Sequence, residues 1–107
     1  MSERNSPKTT AIVAYITIIG TIIAYFMNLD TKDRFTSFHL RQAFGIHILF
    51  YLIGALLGMF NSSIIVGAFY IFFIVLWGYG LFGAIAGKTE PIPFLGPLFQ
   101  KLFRSIT

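Results

Sequence analysis

The chain has 107 residues, a formal net charge of +4, a hydrophobic fraction of 56% against a charged fraction of 11%, and no cysteine. Soluble domains carry about 25% charged residues, and the mean hydropathy here is +0.78. These values exclude an ordinary soluble domain, and the lack of cysteine excludes disulfides, thiol nucleophiles and thiolate metal sites.

The length allows one membrane domain spanning residues 1–107 and no extramembrane domain. Its predicted class is all-α, an integral membrane three-helix bundle, because backbone in lipid must satisfy its own hydrogen bonds. The first span is expected over about 9–27, where Ala11 to Met27 carry no full charge. At 1.5 Å per residue this is roughly 28 Å, close to the thickness of a bilayer core. Arg4 and Lys8 before it superficially fit a signal peptide, but Asn28-Leu29-Asp30-Thr31 offers no small-residue cleavage site, so the segment is read as retained. The next segment, about 33–42, sets Phe35, Phe38 and Leu40 among Arg34, His39, Arg41 and Gln42. It reads as an amphipathic interfacial helix running into the second span.

Residues 43 to 86 hold no Asp, Glu, Lys or Arg. One helix of that length would be roughly 66 Å long. The run therefore divides, and Asn61-Ser62-Ser63 is its polar interruption, with Ser62 or Ser63 as N-cap. Spans follow at about 43–60 and 64–86, forming an antiparallel hairpin. After Pro97, the residues Leu98, Phe99, Leu102, Phe103 and Ile106 recur at helical spacing. They predict a second amphipathic helix over about 97–106, lying at the headgroups or docked on a partner. With three spans, Arg4 and Lys8 fall on one side and Lys32, Arg34, Arg41, Lys88, Lys101 and Arg104 on the other. That imbalance predicts the N-terminus outside and the C-terminus in the cytoplasm, in a bacterial inner (plasma) membrane.

Chemistry-bearing motifs are few. Gly78-Tyr79-Gly80-Leu81-Phe82-Gly83 matches G-x-G-x-x-G, but it sits in an apolar helix rather than between a strand and a helix, so no cofactor is expected. The pairs Gly54/Gly58 and Gly83/Gly87 have small-xxx-small spacing and are candidate helix-packing positions, within the bundle or between copies. His47 is the candidate intramembrane polar residue, favoured as a structural imidazole over a functional one. His39 lies eight positions earlier, about 12 Å along a helix axis, too far to share one metal ion. The sequon Asn61-Ser62-Ser63 lies too close to the membrane for easy glycosylation. Glu3, Asp30, Asp33 and Glu90 lie outside the spans, and no catalytic, cofactor or metal constellation is legible. The expectation is a non-enzyme.

Two segments carry a family likeness. They are Phe35-Thr36-Ser37-Phe38-His39-Leu40-Arg41-Gln42-Ala43 and Gly87-Lys88-Thr89-Glu90-Pro91-Ile92-Pro93-Phe94-Leu95-Gly96. The chain resembles, over about residues 11–102, a family of small bacterial membrane proteins of unknown function. That family is related to the channel-like component of the chloroplast inner-envelope protein import machinery. The chloroplast proteins generally have four spans, and this chain has room for three. The resemblance implies a membrane protein connected to translocation.

Physically, His39 and Arg41 at the membrane boundary, together with Gln42 and Lys88, are candidate interaction or lipid-headgroup residues. The functional expectation is a non-enzymatic membrane subunit of a larger assembly linked to protein translocation or membrane insertion. The alternative is a homo-oligomeric channel or small-solute transporter. The expected partners are membrane lipids and other membrane proteins or further copies of the chain, with no role for nucleic acid.

Overall fold

A computed structural model of the chain describes residues 7–29, 32–93 and 95–104. Its helices are α1 (Pro7–Ile16), α2 (Ile18–Asn28), α3 (Arg34–Leu57), α4 (Ser63–Ala86) and α5 (Gly96–Leu102). No strand occurs among the described residues. Of these helices, α3 and α4 are long and apolar enough to cross a membrane.

Each boundary has a local cause. Asp33 caps α3, its carboxylate accepting from the Thr36 N–H at 3.0 Å. Ser62 caps α4 by accepting from Ile65 N–H at 3.3 Å, as its place in the polar interruption predicts. Gly87 ends α4 in the left-handed region at φ 75, and Lys88 N–H reaches back to the Gly83 carbonyl at 2.8 Å. That is a Schellman ending, which a residue with a Cβ adopts only at a cost. The predicted amphipathic segment over 33–42 is continuous with the second span, because nothing between Arg34 and Leu57 interrupts the hydrogen-bond ladder.

The expected continuous first span over 9–27 is not what forms. Thr17 is extended, at φ −152 and ψ 173, and divides the segment into α1 and α2. Its side chain caps α2 by accepting from Gly20 N–H at 3.1 Å. The two helices double back on each other. The Pro7 carbonyl, at the start of α1, accepts from Thr36 Oγ1 at 3.2 Å, and Asn28, at the end of α2, donates to Ser37 Oγ at 3.0 Å. Both ends of the hairpin therefore meet neighbouring residues in the first turn of α3. Hydropathy could not distinguish this from a through-going helix, since both present the same unbroken apolar run.

This reversal corrects the expected arrangement of the ends. Pro7 sits at the start of α3, and the Lys8 side chain reaches the end of α4 beside Gly87. The described N-terminal residues thus share an end with Lys32, Arg34, Arg41, Lys88, Lys101 and Arg104 instead of opposing them. The opposite end, Gly58 to Ser62, is uncharged.

Packing is dense at the charged end and thin at the other. Buried Ala11, Ala14, Tyr15, Ala24, Leu40 and Ala43 gather where α1, α2 and α3 meet. Farther along, among the described residues, α3 and α4 have only each other, through Phe50 stacked on Phe69 at 5.3 Å and edge-on to Phe73 at 5.6 Å. The C-terminal helix docks within the chain: Phe99 is buried over Gly45, and Gln100 Nε2 donates to the Phe38 carbonyl at 2.8 Å. This helix ends at Leu102, short of the expected 106, and residues 105 and 106 lie outside the described residues.

A Cβ at Gly45 would overlap the Phe99 ring, whereas one at Gly67 would meet nothing within 4 Å. Overpacking of this kind costs about 1–3 kcal/mol. Gly45→Ala should loosen α5 and speed tryptic cleavage at Lys101 and Arg104 about tenfold, while Gly67→Ala should leave the rate unchanged. Limited proteolysis in mild detergent measures both.

Candidate functional site

Two polar constructions stand out in an apolar molecule. The first is a buried relay at the charged end. The His39 Nε2–H donates to the Lys88 carbonyl at 2.6 Å, because a carbonyl can only accept. The remaining ring nitrogen, Nδ1, accepts from the Tyr15 hydroxyl at 2.6 Å. That hydroxyl accepts from Gln42 Nε2 at 2.8 Å, and Gln42 Oε1 accepts from Ile92 N–H at 2.8 Å. Every donor points the same way around, from Ile92 through α3 and α1 and back to Lys88. Such head-to-tail chains reinforce each other in a low-dielectric interior. Phe35 and Phe38 pack edge-on against the His39 ring, at centroid distances of 4.7 and 5.0 Å.

The relay joins the two segments singled out in the sequence. Of the two roles open to His39 and Gln42, interaction or headgroup contact, the relay places both in contacts between segments of the chain. Both are fully buried, with their polar atoms engaged inside the chain. Lys88 enters the relay through its backbone, with an exposed residue surface. Arg41 lies between: its Nη2 donates to the Arg104 carbonyl at 3.1 Å, tethering the chain just after α5.

The second construction is the apex of the α1–α2 hairpin. Breaking a helix strands the carbonyls of its last turn. The Ala14 carbonyl accepts from Thr21 Oγ1 at 2.7 Å, and the Tyr15 carbonyl accepts from Trp77 Nε1 of α4. With the Thr21 proton committed to Ala14, His47 Nδ1–H donates to the Thr21 oxygen at 2.9 Å. His47 therefore ties α3 to the apex. The two histidines serve separate networks.

Above the apex lies a cleft of about 250 Å³. Ile16 and Thr17 form its floor, His47 and Tyr51 one wall, and Tyr70 and Trp77 the other. It contains hydrocarbon, aromatic faces, a few hydroxyls and an imidazole, and no carboxylate. Such a lining suits an apolar or aromatic group anchored by one or two hydrogen bonds.

The four predicted packing glycines divide by role. A Cβ at Gly54 would touch the Phe69 ring at 3.5 Å, and one at Gly83 the His39 ring at 3.7 Å, so these two lie at helix contacts. Gly58 and Gly87 are instead C-caps of α3 and α4. Sequence reasoning missed Tyr15, Thr17, Thr21 and Trp77. A Cβ at Gly80 would press into the Tyr15 ring at 2.7 Å, so this glycine of the G-x-G-x-x-G run admits the relay's tyrosine. The available signal was Thr17 and Thr21 flanking Gly20 inside an apolar run, where threonine can cap as well as pack. No protein-family description, characterised protein or solved structure matches this chain.

Tyr15→Phe removes only the hydroxyl and strands a buried imidazole nitrogen and a buried amide. Leaving buried polar groups unsatisfied costs about 1–3 kcal/mol. Tyr79→Phe, at an exposed position, should cost nothing measurable. SDS-titration unfolding of both variants compares them directly.

Proposed function

We propose that this chain is an integral membrane protein in which α3 and α4 span the bilayer and α1–α2 form a re-entrant hairpin. Helices of 24 residues reach about 36 Å, enough for a core of about 30 Å, whereas the 10- and 11-residue arms reach only about half-way. Non-helical backbone at that depth is tolerated where protein or a cavity surrounds it, and the Thr17 break has both. Gathering the described Lys and Arg residues at one end supports placing both termini in the cytoplasm and Asn61 outside. This replaces the opposed termini expected from the sequence.

Within that frame the chain acts as a non-enzymatic subunit of a larger membrane assembly, serving the translocation or insertion of polypeptide segments. The observation that carries the assembly reading is the unfinished outer half. Beyond the hairpin apex, no third helix packs on α3 and α4 among the described residues, and Tyr51, Leu52, Ile71 and Ile74 are more than half exposed around the cleft. A neighbouring helix set against this region would fill the cleft with one or two side chains. The link to polypeptide movement comes from the family resemblance. The channel reading has less support, because the outer half carries no charge and the cleft walls are mostly hydrocarbon.

Cysteines introduced singly at Thr9, Asn61 and Glu90 of this cysteine-free chain test the topology. An impermeant thiol reagent on intact cells should label Asn61→Cys alone; labelling of Thr9→Cys would restore a through-going first span. A photo-crosslinking residue at Tyr51 or Ile74 tests the assembly. It should yield a discrete polypeptide adduct in native membranes, and adducts to lipid alone would refute the reading.

A further inference from the structure

A second, larger hollow lies at the charged end, and neither the relay nor the apex uses it. It measures about 460 Å³ and is lined by Lys32, Arg34 and Arg41, with Phe35 and Phe38 against them and Thr89 at the rim. The chain folds so that the residue before the α3 cap, the first turn of α3, its second turn and the segment after α4 converge. Three cations share the hollow, and no carboxylate lines it among the described residues. Asp33, between Lys32 and Arg34, is committed to capping: Oδ2 accepts from the Thr36 N–H at 3.0 Å and lies 3.3 Å from its hydroxyl. The charges of Lys32 and Arg34 therefore meet no carboxylate in the wall of the hollow among the described residues.

We infer that this hollow is a binding site for the phosphate headgroup of an anionic phospholipid. Planar guanidinium groups match phosphate oxygens in pairs, and a lysine beside them adds a mobile point charge. The Phe35 and Phe38 faces supply what a free phosphate would not need: an apolar wall, at the end where the long helices begin, against which a glycerol backbone and its first methylenes can lie. Charge and hydrocarbon thus occur in the order in which a lipid presents them. Arg41 has a second duty at the Arg104 carbonyl, so an occupied hollow would also steady the docking of α5.

The inference rests on placing this end at a membrane surface, and labelling at Asn61 tests that placement separately. Loss of lipid selectivity would therefore leave the topology standing. The experiment is native mass spectrometry of the full chain in mild detergent, titrated with phosphatidylglycerol or phosphatidylcholine. Phosphatidylglycerol should be retained selectively. Lys32→Gln with Arg34→Gln should weaken that retention about thirtyfold, since each lost charge-assisted contact to the phosphate costs about fivefold. The control Lys101→Gln with Arg104→Gln removes the same charge outside the hollow and should change retention by less than about twofold, because charges without direct contact are screened in solution.

Should the first pair disturb folding, judged by helical circular dichroism, Thr89→Asp decides. It adds a carboxylate at an exposed rim position and should abolish selectivity. Equal retention of both lipids, or equal loss in both charge pairs, overturns the site in favour of diffuse attraction. Displacement of lipid by inorganic phosphate at equal concentration overturns the lipid assignment in favour of a free anion.

Discussion

The hydrogen-bond relay from Ile92 through Gln42, Tyr15 and His39 to Lys88 is the constraint on which the arrangement depends. It begins and ends on the backbone of one segment and passes through α3 and α1 between. A buried polar group without a partner costs more than a satisfied one gains. The penalty for disassembly therefore falls on three parts of the chain at once. α1 must lie against α3 deeply enough for Tyr15 to reach His39. The segment after α4 must fold back over α3 so that Lys88 and Ile92 present opposite backbone groups. The Schellman ending at Gly87 supplies that reversal, and Gly80 supplies room for the tyrosine ring.

The hairpin apex follows from the same placement. Once Tyr15 is held, α1 has only one further residue before Thr17 breaks it, and the carbonyls of Ala14 and Tyr15 need new donors. Thr21 of α2 and Trp77 of α4 meet that need, and His47 of α3 donates in turn to the Thr21 oxygen. Irregular backbone inside an apolar molecule is stable only when so supplied. The outer halves of α3 and α4 rest on aromatic contacts among Phe50, Phe69 and Phe73, with no such network among the described residues. The molecule is thus polar and cross-tied at one end and plainly hydrophobic at the other, which suits an anchored base beneath a surface open to neighbours.

Residue character alone determined that the chain is all-helical and apolar beyond the needs of a soluble domain. It determined the division of the long uncharged run at Asn61–Ser63, a serine cap there and, to within one residue, the start of the last helix beside Pro97. These features are local: each depends on hydropathy or capping chemistry within a few residues. The special character of the His39–Gln42 and Gly87–Gly96 segments was also visible, though not their purpose. Tertiary structure alone decided that these segments bind each other, that His39 and Gln42 face inward, and that the first apolar run turns back at Thr17. Periodicity and hydropathy record which residues avoid water, and a hairpin and a through-going helix avoid it equally well. What separates them is where stranded carbonyls find donors: Thr21 is local, but Trp77, and the His47 that backs Thr21, stand 60 and 30 positions away from the break in the chain.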